Sequence, residues 1–236
     1  MVGYAVAAVV NIAAQAAGIG FFTAITKPFL MLLLFCWAWQ VLPRPRTRAG
    51  VYLLIGILFA WLGDVLLMGA SRDAQGNLFF MLGIGGFFVM QVCYILAFLA
   101  IGGRHLLRAA PWLVVPFLAY WALMNWVMDP GVMRIPVLLY SIVLVGMSVA
   151  ALDLVPRLPR AQAWRVFIGS VLFVISDSFI AASAFADLHL GNWEGVIVMT
   201  TYVIAQYLIV TGFARALVLR DQGAGQGLPR PTPANA

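Results

Sequence analysis

Charge is scarce in this chain: 9% of its 236 residues are charged, whereas 64% are hydrophobic. Ordinary soluble domains carry about 25% charged residues and about 45–50% apolar ones. So little charge excludes a soluble globular domain, and the apolar runs that recur along the chain leave no stretch long enough for one. The sequence therefore predicts an integral membrane protein.

Cysteine and histidine are also scarce, with two of each. Cys36 and Cys93 fall inside apolar runs and lack the spacing of a redox motif, so we expect both to serve in helix packing. His105 and His189 are assigned to loops on opposite faces of the membrane, where they cannot ligate one metal ion together. This distribution argues against an intramembrane zinc hydrolase, and no metal or other cofactor is predicted.

The apolar runs approach or exceed the ~18–20 residues that cross a ~30 Å hydrocarbon core. We predict an all-α membrane protein, a bundle of about eight transmembrane helices. The predicted spans are 4–22, 25–42, 50–68, 78–101, 111–128, 134–153, 164–186 and 194–219. The first run has no basic segment ahead of it and leads into a second, so it is interpreted as a span and not a signal peptide.

The spans are expected to form one transmembrane domain over residues 1–220. The remaining tail, 221–236, is rich in Gly and Pro, and we predict that it is disordered and cytoplasmic. Nothing in the sequence pattern indicates an oligomeric state.

Positive charge is concentrated in alternate connections between the spans. These connections and the C-terminal segment carry Arg44, Arg46, Arg48, Arg104, Arg108, Arg157, Arg160, Arg165, Arg215, Arg220 and Arg230. The other connections carry only Arg72 and Arg134, together with Asp73, Asp129, Asp187 and Glu194. By the positive-inside rule both termini are cytoplasmic. The net charge of +6 therefore reflects topology, and no nucleic-acid partner is predicted.

Three ionisable residues stand out within the predicted spans: Lys27 in TKPFLM, Asp64 in WLGDVLLM and Asp177 in VISDSFIA. A charge in the membrane costs a few kcal/mol on insertion scales, so such residues are functional candidates. The aspartates come about 13–14 residues into spans 3 and 7, which is ~20 Å at ~1.5 Å per residue. Lys27 begins span 2, which runs the other way. All three are therefore expected to converge in the outer half of the bilayer.

Other polar side chains fall at similar or slightly greater depth. They are Tyr140 and Ser141 in span 6, Thr201, Tyr202 and Gln206 in span 8, and Gln91 and Tyr94 in span 4. A polar pocket with two carboxyl groups, an ammonium group and several hydroxyl groups would satisfy all of them together.

Each candidate also has a structural interpretation. Lys27, next to Pro28 in the first turn of span 2, can serve as a simple interface anchor. The two aspartates can form a buried ion pair or link helices, although two acids at matched depth favour a functional role. Hydroxyl residues commonly lie between packed helices, which applies to Ser141, Ser176, Ser178, Thr200 and Thr201.

A weak internal similarity relates the two acidic spans. LFAWLGDVLLM in span 3 is similar to LFVISDSFIA in span 7, and VMQVCY in span 4 is loosely similar to VMTTYV in span 8. A four-plus-four pseudo-repeat about an axis along the membrane normal would place Asp64 opposite Asp177.

In combination and order, several motifs resemble the YhhN-type lysoplasmalogenases of bacteria and their animal relatives. They are TKPFLM, LFAWLGDVLLM, IPVLLYSIVLVGM, VLFVISDSFIA and TTYVIAQYLIVTG, which together extend over most of the chain. The resemblance implies a bundle of about eight spans in the bacterial inner membrane. It also implies hydrolysis of the vinyl-ether bond of lysoplasmalogens, which releases a fatty aldehyde and glycerophosphoethanolamine or glycerophosphocholine.

The resemblance makes Lys27, Asp64, Tyr140, Asp177, Ser178, Tyr202 and Gln206 the matching polar positions. This sequence departs from the family pattern at two places. It has Gln91 where similar proteins often carry histidine ahead of the tyrosine of span 4, and Ala184 where they often carry a basic residue.

Vinyl-ether hydrolysis begins with protonation of the β-carbon and passes through an oxocarbenium ion. Such a cationic transition state calls for one protonated acid and one nearby anion, as the two carboxyl groups of glycosidases provide. When two carboxyl groups share an apolar pocket, one is expected to stay protonated and the other to be ionised. The hypothesis is that Asp64 and Asp177 are this catalytic pair, in either order.

The partner expected from this chemistry is a lysophospholipid in the surrounding membrane lipid. Tyr140, Ser178 and Tyr202 would orient the carboxyl groups, and Lys27 would contact the lipid phosphate. The further candidates for substrate binding are Gln91, Tyr94 and Gln206.

Three other functions are open to the same residues. A proton-coupled transporter of lipids or small molecules would use the two aspartates as proton carriers. An intramembrane aspartyl protease is disfavoured because WLGD lacks the upstream glycine of the GxGD motif. A purely structural membrane protein is the third alternative.

Overall fold

The computed structural model describes residues 1–69, 78–102, 105–186 and 190–225. All regular structure in these ranges is helical. The α-helices are α1 (Val2–Ala16), α2 (Gly20–Val41), α3 (Arg48–Met68), α4 (Leu78–Leu99), α5 (Leu106–Ala109), α6 (Val115–Val127), α7 (Arg134–Leu152), α8 (Arg160–Phe185) and α9 (Asn192–Gly225). Short 3₁₀ turns, Pro111–Val114 and Gly131–Met133, precede α6 and α7.

Six helices in the described ranges are long and apolar enough to cross a membrane: α2, α3, α4, α7, α8 and α9. This confirms the prediction of an all-helical integral membrane protein. The helices at the predicted first and fifth spans are shorter, at Val2–Ala16 and Pro111–Val127. The 15 residues of α1 extend over about 22 Å. The total of eight spans therefore stays a prediction.

Several of the predicted features lie outside the described residues. They are Arg72, Asp73, Arg104, Asp187, His189, Arg230 and the tail from 226 to 236. The helix α9 itself continues to Gly225, beyond the predicted end of the transmembrane domain at 220.

Local sequence signals account for the helix ends. A turn with Gly18 at a φ of 69° separates α1 from α2, in the left-handed region that glycine adopts without a steric penalty. The hydroxyl group of Thr47 accepts a hydrogen bond from the backbone N–H of Gly50, 3.2 Å away, and caps α3. Pro116 lies in the first turn of α6, where its missing N–H costs nothing.

The prediction that Pro28 lies in a first helical turn is wrong. α2 begins at Gly20, so that Pro28 falls inside the helix. The residues before Lys27 continue the helical pattern. The hydroxyl group of Thr26 donates to the carbonyl group of Phe22 one turn earlier, at 2.7 Å, so Thr26 does not cap a later helix start. An interior proline leaves the carbonyl group of Ala24 without its usual helical donor.

The helices form a closed ring. Going around it, α1 packs against α2, α2 against α3, α3 against α4, α4 against α7, α7 against α8, α8 against α9, and α9 against α1. α9 also contacts α2 and α3 across the ring, whereas α6 packs against α7 from outside. The core of the bundle therefore lies around α9.

Glycine permits the closest helix contacts. A Cβ atom on Gly86 of α4 would lie 3.0 Å from the Cα atom of Gly63 of α3. A Cβ atom on Gly169 of α8 would lie 2.9 Å from the carbonyl oxygen of Ala205 of α9. Small residues at such contacts let helix backbones approach closely. These two helix pairs, α3–α4 and α8–α9, are the ones that the predicted pseudo-repeat makes equivalent.

A buried polar cluster ties together the arginine-rich end of the bundle, where α4, α5, α7 and α8 meet. Asp153 Oδ2 lies 2.8 Å from Arg157 Nη2 and 2.6 Å from His105 Nδ1, and its Oδ1 accepts the N–H of Leu107 at 3.0 Å. Burial alone would raise the pKa of Asp153. The hydrogen bonds from Leu107 and His105 and the charge of Arg157 outweigh burial and hold that pKa below its ordinary value.

Candidate functional site

Asp177 lies at the meeting point of three helices. Its side chain on α8 is 8% exposed, and Tyr140 of α7 donates its hydroxyl hydrogen to Oδ2. The Nε2 atom of Gln91 on α4 lies 3.5 Å from the same oxygen. Gln91 is fully buried, and its Oε1 has no partner among the residues the structure describes. The carboxyl group therefore has two donors and an unused acceptor beside it.

Two cavities adjoin Asp177 and Tyr140. The first, which we call the apolar cavity, has a volume of about 50 Å³ and is otherwise lined by hydrophobic side chains of α3, α4, α7, α8 and the turn before α7, such as Phe87 and Ile180. The second, the α6 cavity, has a volume of about 60 Å³ and lies between α6, α7 and α8. Its lining includes Tyr120, Trp121, Asn125, Ser141 and Ser178. Both volumes are well below the roughly 300–1,000 Å³ of a typical ligand pocket. Each leaves room for a few water molecules beside the carboxyl group.

Asp64 belongs to a different polar group. It lies on α3 and is 1% exposed. Tyr202 of α9 donates its hydroxyl to Oδ2 at 2.7 Å, and Lys27 Nζ lies 3.6 Å from Oδ1. Lys27, the only lysine in the sequence, is partly exposed and lines a surface pocket near the turn between α1 and α2. Asp64 is therefore held in a nearly buried ion pair with a phenol as its second partner.

An aromatic triad separates the two acids. The rings of Phe87, Phe173 and Tyr202 contact one another with centroid distances of 5.8 to 6.2 Å. Tyr202 holds Asp64 on one side, while Phe87 lines the apolar cavity with Asp177 on the other. In the described part of the chain no hydrogen bond joins the two carboxyl groups, and Asp64 lines neither cavity. The expected single pocket is thus two separate groups.

Two further candidates pair with each other. The hydroxyl of Tyr94 donates to Gln206 Oε1 at 2.8 Å, and Gln206 Nε2 lies 3.1 Å from the sulfur of Met90. Tyr94 and Gln206 are both fully buried and line neither cavity. They satisfy each other in the core between α4 and α9.

The remaining hydroxyl groups tie helices together. Ser178 Oγ donates to the carbonyl of Val174 and is hydrogen-bonded to the hydroxyl of Tyr120 on α6. Ser141 Oγ accepts Trp121 Nε1 at 3.0 Å. Thr201 differs from these, because its hydroxyl group donates to the carbonyl groups of Ile197 and Val198 on its own helix.

Tyr120 was not among the residues predicted to form the site. The signal was present in the sequence, because Tyr120, like Tyr140, is a polar side chain within an apolar span. Cys93 is buried as expected for a residue that packs between helices, whereas Cys36 is exposed on α2. Ala184 packs beside a small hydrophobic cluster that includes Phe80 and Phe185. Within the described ranges, no three His, Cys, Asp or Glu side chains form a group that could hold a metal ion.

Fold and site together define an integral membrane protein whose bundle buries two acid–tyrosine pairs, one of them facing cavities between the helices. The model of the YhhN family matches residues 22–213, from α2 to the second half of α9, and the chain belongs to this family. No curated protein and no solved structure matches the chain.

Proposed function

We propose that this protein is a membrane hydrolase that cleaves the vinyl-ether bond of lysoplasmalogens, releasing a fatty aldehyde and glycerophosphoethanolamine or glycerophosphocholine. Membership of the YhhN family supports a hydrolase of this type. The observation that carries the proposal is the position of Asp177, a buried acid that accepts a hydrogen bond from Tyr140 and lines two cavities between the helices. The substrate is a single-chain lipid that the bilayer itself supplies.

The first step is a proton transfer from Asp177. The neutral carboxyl group donates its proton to the β-carbon of the vinyl ether, and the electrons of the double bond form the new C–H bond. Positive charge then develops on the carbon that carries the ether oxygen and is shared with that oxygen. The Asp177 carboxylate left behind stabilises this oxocarbenium ion, and the apolar walls of the cavity strengthen that attraction.

The second step is the attack of water on the cation. Gln91 Oε1, which has no partner among the described residues, accepts one hydrogen of the water, and the Asp177 carboxylate accepts the proton that the water loses. The hemiacetal so formed gives up its hydroxyl proton and its C–O bond breaks, while the departing glycerol oxygen takes a proton. One water is consumed, and neither an oxidant nor a reductant is needed.

Asp64 has a positioning role in this proposal. Its ion pair with Lys27 and its place outside both cavities support a fixed negative charge that orients Tyr202. Tyr202 in turn packs against Phe87, a wall of the apolar cavity. We assign the reacting proton to Asp177 and the support of the cavity wall to Asp64.

We also propose that the arginine-rich end lies in the cytoplasm. Arg46, Arg157 and Arg220 lie at this end, so that by the positive-inside rule the termini are cytoplasmic in the inner membrane. Asp177 then lies in the outer half of the bilayer.

Aldehyde release by the purified protein in detergent tests the proposal. A lysoplasmalogen should yield aldehyde, whereas the lipid with a saturated ether in the same position should not, because it has no double bond to protonate. In water that carries a heavy oxygen isotope, the released glycerophospho product should contain no label. The bond that breaks joins the glycerol oxygen to the carbon of the former vinyl group, so the product keeps its own oxygen. A proton-coupled transporter, the alternative function, would bind the lipid and release no aldehyde.

A further inference from the structure

The helix α6 is held loosely against the ring. None of its residues is buried, whereas each long helix of the ring has a buried face. Trp121 and Asn125 hydrogen-bond to Ser141 of α7 at 3.0 and 3.4 Å. The ties to α8 are the hydrogen bond of Tyr120 to Ser178 and the ring contact of Phe117 with Phe167.

A third cavity, which we call the lower cavity, also lies between α6 and the ring, closer to the arginine-rich end of the bundle than the α6 cavity. It has a volume of about 340 Å³, and its lining consists of Pro116, Phe117, Tyr120, Val145, Ser148, Val171, Val174 and Ile175. It shares Tyr120 and Val145 with the α6 cavity, which contains Asp177. The two cavities therefore adjoin each other along α7 and α8, and together we call them the α6 groove.

The groove extends from Asp177 along α7 and α8 toward the arginine-rich end of the bundle. Val174 and Val171 precede Asp177 on α8 by roughly 4.5 and 9 Å along the helix axis. On α7, which runs the other way, Val145 and Ser148 follow Tyr140 in the same direction. Pro116 and Phe117 line the end of the groove that is farther from Asp177, where the ring of Phe117 contacts that of Phe167 with centroids 6.3 Å apart.

The chemistry of the groove fits a hydrocarbon chain. Apart from Tyr120 and Ser148, the residues lining the lower cavity are hydrophobic. The upper part next to Asp177 adds the polar side chains of Asn125, Ser141 and Ser178. A single-chain lipid has this same order of groups, a polar end, an ether linkage and a long apolar chain.

We propose that the α6 groove binds the hydrocarbon chain of the substrate, with the ether bond at Asp177 and the chain end against Phe117. The identity of the lipid rests on the proposed function, whereas the place of the chain rests on the cavities. The bilayer interior is as apolar as the groove, so burial of apolar surface supplies little selectivity. Selectivity for chain length then comes from van der Waals contacts of the chain along the groove and from steric overlap of longer chains with Phe117.

Filling the groove tests the proposal. Val171→Trp places an indole in the lower cavity. The factor by which it lowers turnover should be about tenfold larger for a hexadecenyl substrate than for an octenyl substrate. Ile168→Trp is the matched control, because Ile168 lies on the same helix but is 48% exposed. This control should keep the chain-length profile of the wild type.

Lengthening the groove gives the opposite expectation and does not depend on the folding of the tryptophan variant. Phe117→Ala removes the far end of the groove and should shift the preferred substrate toward longer chains. An equal loss for all chain lengths in Val171→Trp, or an unchanged preference in Phe117→Ala, would overturn the proposal.

Failure of the proposed function gives a different result. If the wild type releases no aldehyde, the same variants are tested for binding of saturated lysophospholipid ethers of graded chain length. Weaker binding of long chains only, in Val171→Trp and not in Ile168→Trp, would keep the groove as a chain site. Equal binding by all the proteins would exclude it.

Discussion

Tyr140 and Gln91 are the two side chains that hydrogen-bond to Asp177, and they differ in what they leave free. The Tyr140 hydroxyl is used by the carboxyl group, whereas Gln91 keeps its Oε1 without a partner in the described part of the chain. The resemblance described in the sequence analysis leads one to expect a histidine where this chain has Gln91. An amide in this place still offers an acceptor to a water molecule, so the proposed reaction does not need the histidine.

Removal of the Tyr140 hydroxyl should slow the reaction more than it weakens binding. Tyr140→Phe leaves Asp177 with Gln91 as its remaining hydrogen-bond partner, so the acid is less well oriented when it transfers its proton. We expect kcat to fall by roughly ten- to a hundredfold with little change in KM. Tyr52→Phe, at the arginine-rich end, is the control and should retain wild-type kinetics. A rise in KM alone would assign Tyr140 to binding.

The ion pair of Lys27 and Asp64 predicts a non-additive response. Lys27→Met or Asp64→Asn alone leaves one nearly buried charge unpaired, which should lower the free energy of unfolding by about 3 kcal/mol. The double variant removes both charges and should recover most of that loss, in thermal stability and in turnover. Stability in detergent and aldehyde release on all four proteins complete the cycle.

A double variant no more active than Asp64→Asn would contradict this account of Asp64. Its charge would then act in the reaction directly, as in the hypothesis of two catalytic carboxyl groups that the sequence suggested.

The sequence predicted which acids enter the bundle, but not the direction in which each one faces. The depth of Asp64 and Asp177 follows from counting residues at ~1.5 Å each. Direction around the helix depends on which neighbours α3 and α8 have, and the ring arrangement is set by contacts far apart in the chain. The pairing of Lys27 with Asp64 and of Tyr120 with Ser178 could not be predicted for the same reason.

At the scale of the helices, the α3–α4 contact should tolerate no side chain at Gly86. A methyl group there would meet the backbone of Gly63 at 3.0 Å, and backbone cannot move aside as a side chain can. We expect Gly86→Ala to lower the free energy of unfolding by about 1–3 kcal/mol. Thermal unfolding in detergent measures the change.

Gly85→Ala is the matched control for this substitution. Gly85 is exposed on the same helix, and a Cβ atom there would have no neighbour within 4 Å. Because alanine favours a helix over glycine by up to about 1 kcal/mol, this variant should be neutral or slightly more stable. Equal effects of the two substitutions would show that helix propensity dominates and close contact does not.

Hydropathy predicted the long helices well because length and apolar composition determine which segments cross a membrane. The bounds of α3 and α4 differ from the predicted spans by a few residues at most. The start of α2 was missed because no local cap marks it, and Pro28 was taken as a start signal. The two short helices have apolar sequences like the others, so composition alone did not separate them.

For the whole molecule, the cluster around Asp153 predicts how stability depends on pH. Because the folded state lowers the pKa of Asp153, its carboxylate stabilises the fold above the pKa of the unfolded chain. That contribution is lost as the pH falls through the lower folded pKa. The difference in free energy of unfolding between wild type and Asp153→Asn should therefore be largest above about pH 5 and decrease below about pH 4.

Thermal unfolding of the two proteins across this pH range checks the prediction. Asp129→Asn is the control, since Asp129 is exposed near the opposite end of the bundle. If the difference in free energy of unfolding between the two proteins stays constant down to acidic pH, Asp153 stabilises the fold through packing and not through its charge.

The central claim is that Asp177 transfers the reacting proton. The most direct test is aldehyde release from a lysoplasmalogen by purified wild type, Asp177→Asn and Asp129→Asn, with binding of the saturated ether lipid measured on all three. The account predicts that Asp177→Asn binds the lipid and stays folded but loses roughly 10²- to 10⁴-fold in turnover, while Asp129→Asn matches the wild type. Turnover by Asp177→Asn within about tenfold of the wild type would contradict it.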